Sequence, residues 1–177
     1  MRGCVLALLL GCFATCALAT SDNAKLQELF EADQLDRTQD AESVALPARD
    51  FQRRKAAMDI IKAGGLATSS DYFHAAMVFQ HGGTVADLDL AHSLAVIATR
   101  LENPKPDAKW LTAASWDRLL MRKGKPQWYG TQFVRNDAGH WELYRIDADA
   151  VTDAERVALG ARTLEGARAM AKELDGK

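Results

Sequence analysis

Over most of its length the chain places apolar residues three and four positions apart, the spacing that builds one face of an α-helix. Leu26, Leu29 and Phe30 form such a row in a helix predicted over 21–37, with Ser21 as its cap. Asp33 and Arg37 continue the row one and two turns later, at a spacing that permits an ion pair, either on a solvated helix end or in a buried structural role. Phe51, Met58 and Ile61 make the row of a second helix, which opens at Pro47 and stops before Gly64-Gly65. Arg54 falls on that row, whereas Arg53 and Lys55 fall on the side expected to face water.

The third helix opens at Ser69 or Ser70 and stops at Gly82-Gly83. Tyr72, Phe73, Ala75, Ala76, Met77, Val78 and Phe79 leave it almost no polar face, so it is predicted to be the most buried. Gln80 and His81 close it, and polar groups at the end of a buried helix carry information. For His81 two readings stand: a histidine favoured by the negative end of the helix dipole, or a ligand or proton-transfer group. Thr84 caps a fourth helix that runs to about residue 102, with Leu90, Leu94, Ile97 and Leu101 in one row. Ala91, Ala95 and Ala98 let a neighbour come close. Asp89 and His92 have a spacing that some metal sites use; no second such pair accompanies them, and a surface ion pair is the simpler reading.

A fifth helix carries 110–122, and 133–135 and 140–146 then read as two strands joined by the turn Asn136-Asp137-Ala138-Gly139. Thr152 caps a short helix ending at Gly160, and Thr163 opens the last one, over 164–174. The prediction is a mainly α fold: a single compact helical domain of about five to seven helices with one small β-hairpin.

One stretch breaks the pattern. Trp110, Ala113, Ala114 and Met121 share a helical face with Asp117, so a carboxylate sits amid apolar neighbours. Burying it costs on the order of several kcal/mol unless a partner answers it. Past Gly124 and Pro126 the chain turns into a loop dense in polar groups: Gln127, Tyr129, Thr131 and Gln132, with Gly130 to let it bend.

The first segment is a leader rather than fold. Arg2 precedes the apolar run 5–10, too short to span a bilayer, and Ala17-Leu18-Ala19 suits signal-peptidase cleavage. This predicts a signal peptide over 1–19, a single domain over 20–177, and a periplasmic or secreted location. Leu9-Leu10-Gly11-Cys12 also resembles a lipobox, which would anchor the chain to a membrane through a lipid on Cys12. Cys4, Cys12 and Cys16 are the only cysteines, so the exported domain holds together by its core alone. Net charge is −2, with no block of lysines or arginines, and nucleic acid is not expected as a partner.

Asp33-Gln34-Leu35-Asp36-Arg37, Gln80-His81, Asp117-Arg118, Gly124, Gln127 and Tyr129-Gly130-Thr131-Gln132, followed by Arg156, Gly160 and Leu164, occur in this order. In this the chain resembles a family of bacterial helical domains of unknown function, over roughly residue 25 to the C-terminus. Many relatives carry an acid soon after the histidine. Here Gly82-Gly83 stand instead, which puts a His–acid dyad at that point in question. The resemblance implies that these positions belong together, and no activity.

Three functions fit these residues. The first is a pocket around Asp117, His81 and the 127–132 loop that binds a small polar ligand or peptide, with Gln80, Arg118, Gln127, Thr131 and Gln132 as contacts. The second is a hydrolase: Asp117 orients His81, His81 acts as general base, Tyr129 donates a proton or hydrogen bond, and Arg118 or Arg54 meets the developing charge. The third is a purely structural polar cluster. No nucleophile motif, phosphate loop, dinucleotide fingerprint or two-histidine zinc motif is present, and no cofactor is expected.

Overall fold

The structure, a computed structural model, describes residues 21–40 and 42–175. The leader, its three cysteines and both export readings lie outside these residues. Seven helices and a two-stranded hairpin follow one another: α1 (Ala24–Gln39), α2 (Leu46–Lys62), α3 (Ser69–Gln80), α4 (Val85–Ala98), α5 (Ala108–Arg122), β1 (Phe133–Arg135), β2 (Trp141–Leu143), α6 (Asp153–Ala158) and α7 (Leu164–Asp175). The chain is thus mainly helical with one small antiparallel hairpin, as the sequence pattern predicts. None of the described helices is long and apolar enough to cross a membrane.

α3 lies at the centre and packs against α1, α2, α4 and α5. Its small residues explain how. Ala75 and Ala76 are fully buried, as are Ala91, Ala95 and Ala98 on α4, so the two backbones can approach closely. Phe73, Val78, Phe79, Leu26, Leu94 and Leu111 fill the remaining space. Thr68 caps α3 in a reciprocal capping box with Asp71. The buried Asp71 carboxylate also accepts from the Asn23 backbone N–H at 2.6 Å, tying the start of α1 to the start of α3. Asn23, rather than Ser21, caps α1, because its side chain reaches the N–H groups of Lys25 and Leu26. α4 ends at Ala98, short of the predicted 102, and Asn103 turns the chain through a left-handed conformation.

α2 is turned so that its apolar row is only partly inward: Met58 and Ile61 pack against the core, but the row is not its most buried side. Its buried residues are Leu46, Asp50, Arg53 and Ala57, while Phe51 is 57% exposed. Acids of α1 and of α2 itself are the cause. Arg53 meets Asp36 at 2.7 Å and Asp50 at 2.6 Å, so it points into the protein rather than into water.

A second, smaller layer is built from the loop after α5, the hairpin and α7, which packs on β2. The pairing runs Phe133 to Leu143, Val134 to Glu142 and Arg135 to Trp141. β2 stops at Leu143, inside the predicted 140–146, and Ile146 pairs separately with Gln127. Gly130, in the left-handed region at φ 76°, lies so close to α7 that a Cβ there would meet the Ala167 methyl at 3.2 Å.

Candidate functional site

Asp117 is fully buried in the middle of α5, and its partners all come from the loop that follows. Its Oδ1 accepts from the N–H of Trp128 at 2.8 Å and of Tyr129 at 3.0 Å. Its Oδ2 accepts from the Thr131 N–H at 3.0 Å and the Thr131 hydroxyl at 2.8 Å. Burial raises the carboxyl above its ordinary value, and these hydrogen bonds oppose that rise. The loop closes on itself around Gln127, which is also fully buried. The Gln127 amide accepts from the Gln132 N–H at 2.9 Å and donates to the carbonyls of Gln132 and Tyr144. Arg156 of α6, 2% exposed, clamps the Trp128 carbonyl from outside at 2.9 Å.

The expected pairing of Asp117 with His81 does not occur, nor does pairing with Arg54. Main-chain N–H groups of the loop and the Thr131 hydroxyl occupy both carboxylate oxygens. Arg54 instead reaches the His81 carbonyl at 3.4 Å and lies 3.7 Å from Asp87. Tyr129 enters the network through its backbone N–H, and its phenol lines neither cavity described below. Burial and the nearby Asp117 push that phenol above its ordinary value. Trp110, expected beside Asp117 in the interior, is 39% exposed.

The acid that does hold His81 is Asp33. The His81 Nδ1 lies 2.8 Å from Asp33 Oδ2, and Asp33 is 1% exposed. The dyad placed in question by Gly82-Gly83 is therefore formed with α1 instead. Gly82 has its own reason: a Cβ there would overlap the Asp87 side chain at the start of α4. Asp33 also takes the Arg37 guanidinium at 3.2 Å, and Arg37 continues to Asp50 at 2.8 Å. Burial, the largest influence, raises the Asp50 carboxyl; hydrogen bonds from Arg37 and Arg53 outweigh it together and leave the group below its ordinary value.

Arg118 faces this network from α5. Its Nε donates to Gln132 Oε1 at 3.1 Å and its Nη1 to the Gln80 carbonyl at 3.2 Å. Both partners are neutral. Among the described residues no carboxylate lies at ion-pair distance from Arg118. Burial, then repulsion from Arg37 and Arg122, lowers its pKa below the ordinary guanidinium value.

Two cavities open here and share His81 and Arg118 as a common wall. One, of about 330 Å³, is completed by Arg37 and Asp50. The other, of about 300 Å³, is lined by Gln80, Thr131 and Gln132 together with Met77, Trp110, Phe133, Trp141 and Leu174. Of the eight residues singled out in the sequence, Gln80, His81, Arg118, Thr131 and Gln132 thus meet at one cleft, while Asp117, Gln127 and Tyr129 support it from behind. Asp33, Arg37 and Asp50 are charged residues missing from that expectation as site members. Asp50 left no signal in the residue pattern. Asp33 and Arg37 did: two charges continuing an apolar helical row.

His92, three residues after Asp89, points its Nδ1 at the Thr112 carbonyl at 3.2 Å. No group of three or more His, Cys, Asp or Glu among the described residues is placed to hold a metal ion. Compared with models of protein families, with curated proteins and with solved structures, the chain matches none.

Proposed function

We propose that this chain is an exported helical domain that holds a small polar ligand in the cleft between His81 and Arg118. One observation carries the reading: polar residues far apart in sequence line a cavity of about 300 Å³, the lower end of the range for small-molecule sites. The wall is mixed. Gln80, Thr131, Gln132, His81 and Arg118 offer donors and acceptors, and Trp110, Phe133 and Trp141 offer flat apolar surface. The membership of Asp117, Gln127 and Tyr129 in the support explains why they accompany the cleft residues without lining it.

The test is ligand titration followed by amide and indole NMR shifts, using a panel of free amino acids, short peptides and small sugars. Saturable shifts centred on His81, Arg118 and the Trp110 and Trp141 indoles are expected. Saturable shifts centred elsewhere, or none across the panel, would overturn the proposal.

A second reading is favoured by the Asp33–His81 contact at 2.8 Å. An acid bonded to Nδ1 fixes the imidazole and leaves Nε2 as the group that takes a proton, which is the arrangement of a general base. In a hydrolase of this kind Arg118 meets the developing negative charge. Chromogenic ester and amide substrates decide between the two. A base makes His81→Gln lose about a hundredfold or more in turnover. A binding site shows no turnover in the unaltered protein.

A further inference from the structure

The cleft is not neutral in what it asks of a ligand. Gln80 is 5% exposed, and its amide orientation is settled by its surroundings. Nε2 donates to the Ala114 carbonyl at 3.3 Å, where an oxygen would face another oxygen. Oε1 therefore points the other way, and it is a buried acceptor with no hydrogen-bond partner. Gln80 lines the cavity of about 300 Å³. Buried amide oxygens are nearly always satisfied, so a lone one in a residue of the cavity wall is an acceptor that a ligand donor can claim.

Arg118 supplies the second requirement. It is a half-buried guanidinium whose hydrogen-bond partners among the described residues are a glutamine oxygen and a main-chain carbonyl. Neither cancels its charge. Its charged neighbours in the shared wall are Arg37 and Asp50, and the Asp50 carboxylate is already held by Arg37 and by Arg53. A guanidinium in this position pairs with planar or tetrahedral oxyanions through two parallel hydrogen bonds.

On the reading of the cleft given above, we infer that its ligand carries an oxyanion beside a hydrogen-bond donor and an apolar group. The oxyanion pairs with Arg118, an N–H or O–H meets Gln80 Oε1, and the apolar group lies on Trp110, Phe133 and Trp141. An N-acylated amino acid or the C-terminal residue of a peptide has this pattern, and an aryl phosphate shares the oxyanion.

Matched probes test the inference on the unaltered protein, followed by NMR titration: N-acetyl-L-tryptophan against N-acetyl-L-tryptophanamide, and phenyl phosphate against phenol. The acid is expected to bind about tenfold or more tightly than the amide, since a charged pair is exchanged for a neutral one. Phenyl phosphate binding better than the acid assigns the oxyanion to phosphate, and the reverse assigns it to carboxylate; either supports the inference. Equal binding of charged and neutral partners at the cleft would overturn the oxyanion while leaving the ligand pocket standing. Failure of all four probes to shift cleft resonances overturns the inference. The pocket itself then stands or falls on the wider panel of free amino acids, peptides and sugars. Arg118→Lys adds a second arm. It keeps the charge and loses the fork, so the preference for the acid is expected to shrink several-fold with the fold intact by circular dichroism.

Discussion

Two carboxylates, Asp117 and Asp33, are equally hidden, at 0% and 1% exposure, yet they do opposite things. Asp117 is answered by main-chain N–H groups and one hydroxyl from a single short loop. Its environment is complete, and its effect is to fix that loop against α5. Asp33 is answered by side chains from separate elements: Arg37 on its own helix and His81 at the end of α3. Those partners line a cavity. Burial alone therefore says little about a carboxylate's role. What surrounds it, backbone dipoles closed on themselves or charged side chains with one end in a cleft, separates scaffold from site.

The sharpest way to break this comparison is Asp117→Ala. It strands the N–H groups of Trp128, Tyr129 and Thr131 in a poorly solvated loop, and a loss of about 3–4 kcal/mol is expected. For a domain of this size that is a fall of about 10 °C in the thermal midpoint, read by circular dichroism. A loss below about 1 kcal/mol would mean that the loop is held by Gln127 and Arg156 without it. Asp33→Asn should cost less, about 2 kcal/mol, because Arg37 retains Asp50 and Arg53 retains Asp36 and Asp50. The double variant sharpens the point. Asp33 and Asp117 share no direct partner, so the losses should add to within about 0.5 kcal/mol. A clear departure from additivity would make the two regions a single network.

The same contrast explains how much of the molecule was legible in its sequence. Caps at Thr84 and Thr152, and the turn at 136–139, are short-range signals, and the elements they mark stand close to where they were expected. Asp117 was legible as a buried carboxylate because its neighbours on α5 are apolar. Its partners were not, because main-chain N–H groups leave no trace in residue identity. Arg53 was misread for the opposite reason. The apolar row of α2 points to Phe51 and Met58, but three acids on α1 and α2 attract Arg53 inward, and a one-helix pattern does not contain the neighbouring helix. Asp33 and His81 are 48 residues apart, a pairing that only the packing of α1 on α3 creates.

The two regions also predict opposite dependence on pH. Asp50, in the charged network, lies below its ordinary 3.8 when folded. Its contribution is therefore complete above pH 3.8 and is lost as pH falls through the folded value. Asp117 lies above 3.8 when folded. Its titration favours the fold most below 3.8, and that advantage fades as pH rises through the folded value. Urea denaturation across pH 2–7 checks both, the Asp50 change falling below pH 3.8. Asp50→Asn should cost stability at neutral pH and little in acid. The gap between Asp117→Asn and the unaltered protein should instead narrow toward neutral pH. Slopes of the same sign for both variants would undo the contrast.

The smallest effect on stability should come from the residue most exposed to function. Arg118 sits in the wall of both cavities, and its burial is opposed by the charges of Arg37 and Arg122. Arg118→Gln removes that repulsion together with two hydrogen bonds to neutral oxygens. These contributions oppose each other, so the change in stability is expected to stay within about 1 kcal/mol, in either direction. A half-buried cation that brings folding no net benefit would fit a role in binding. Thermal midpoints and ligand titration on the same variant read this directly: near-unchanged melting with lost discrimination between N-acetyl-L-tryptophan and its amide. A fall comparable to that of Asp117→Ala would instead make Arg118 a bolt between α5, Gln80 and Gln132, and would move it from the site to the scaffold.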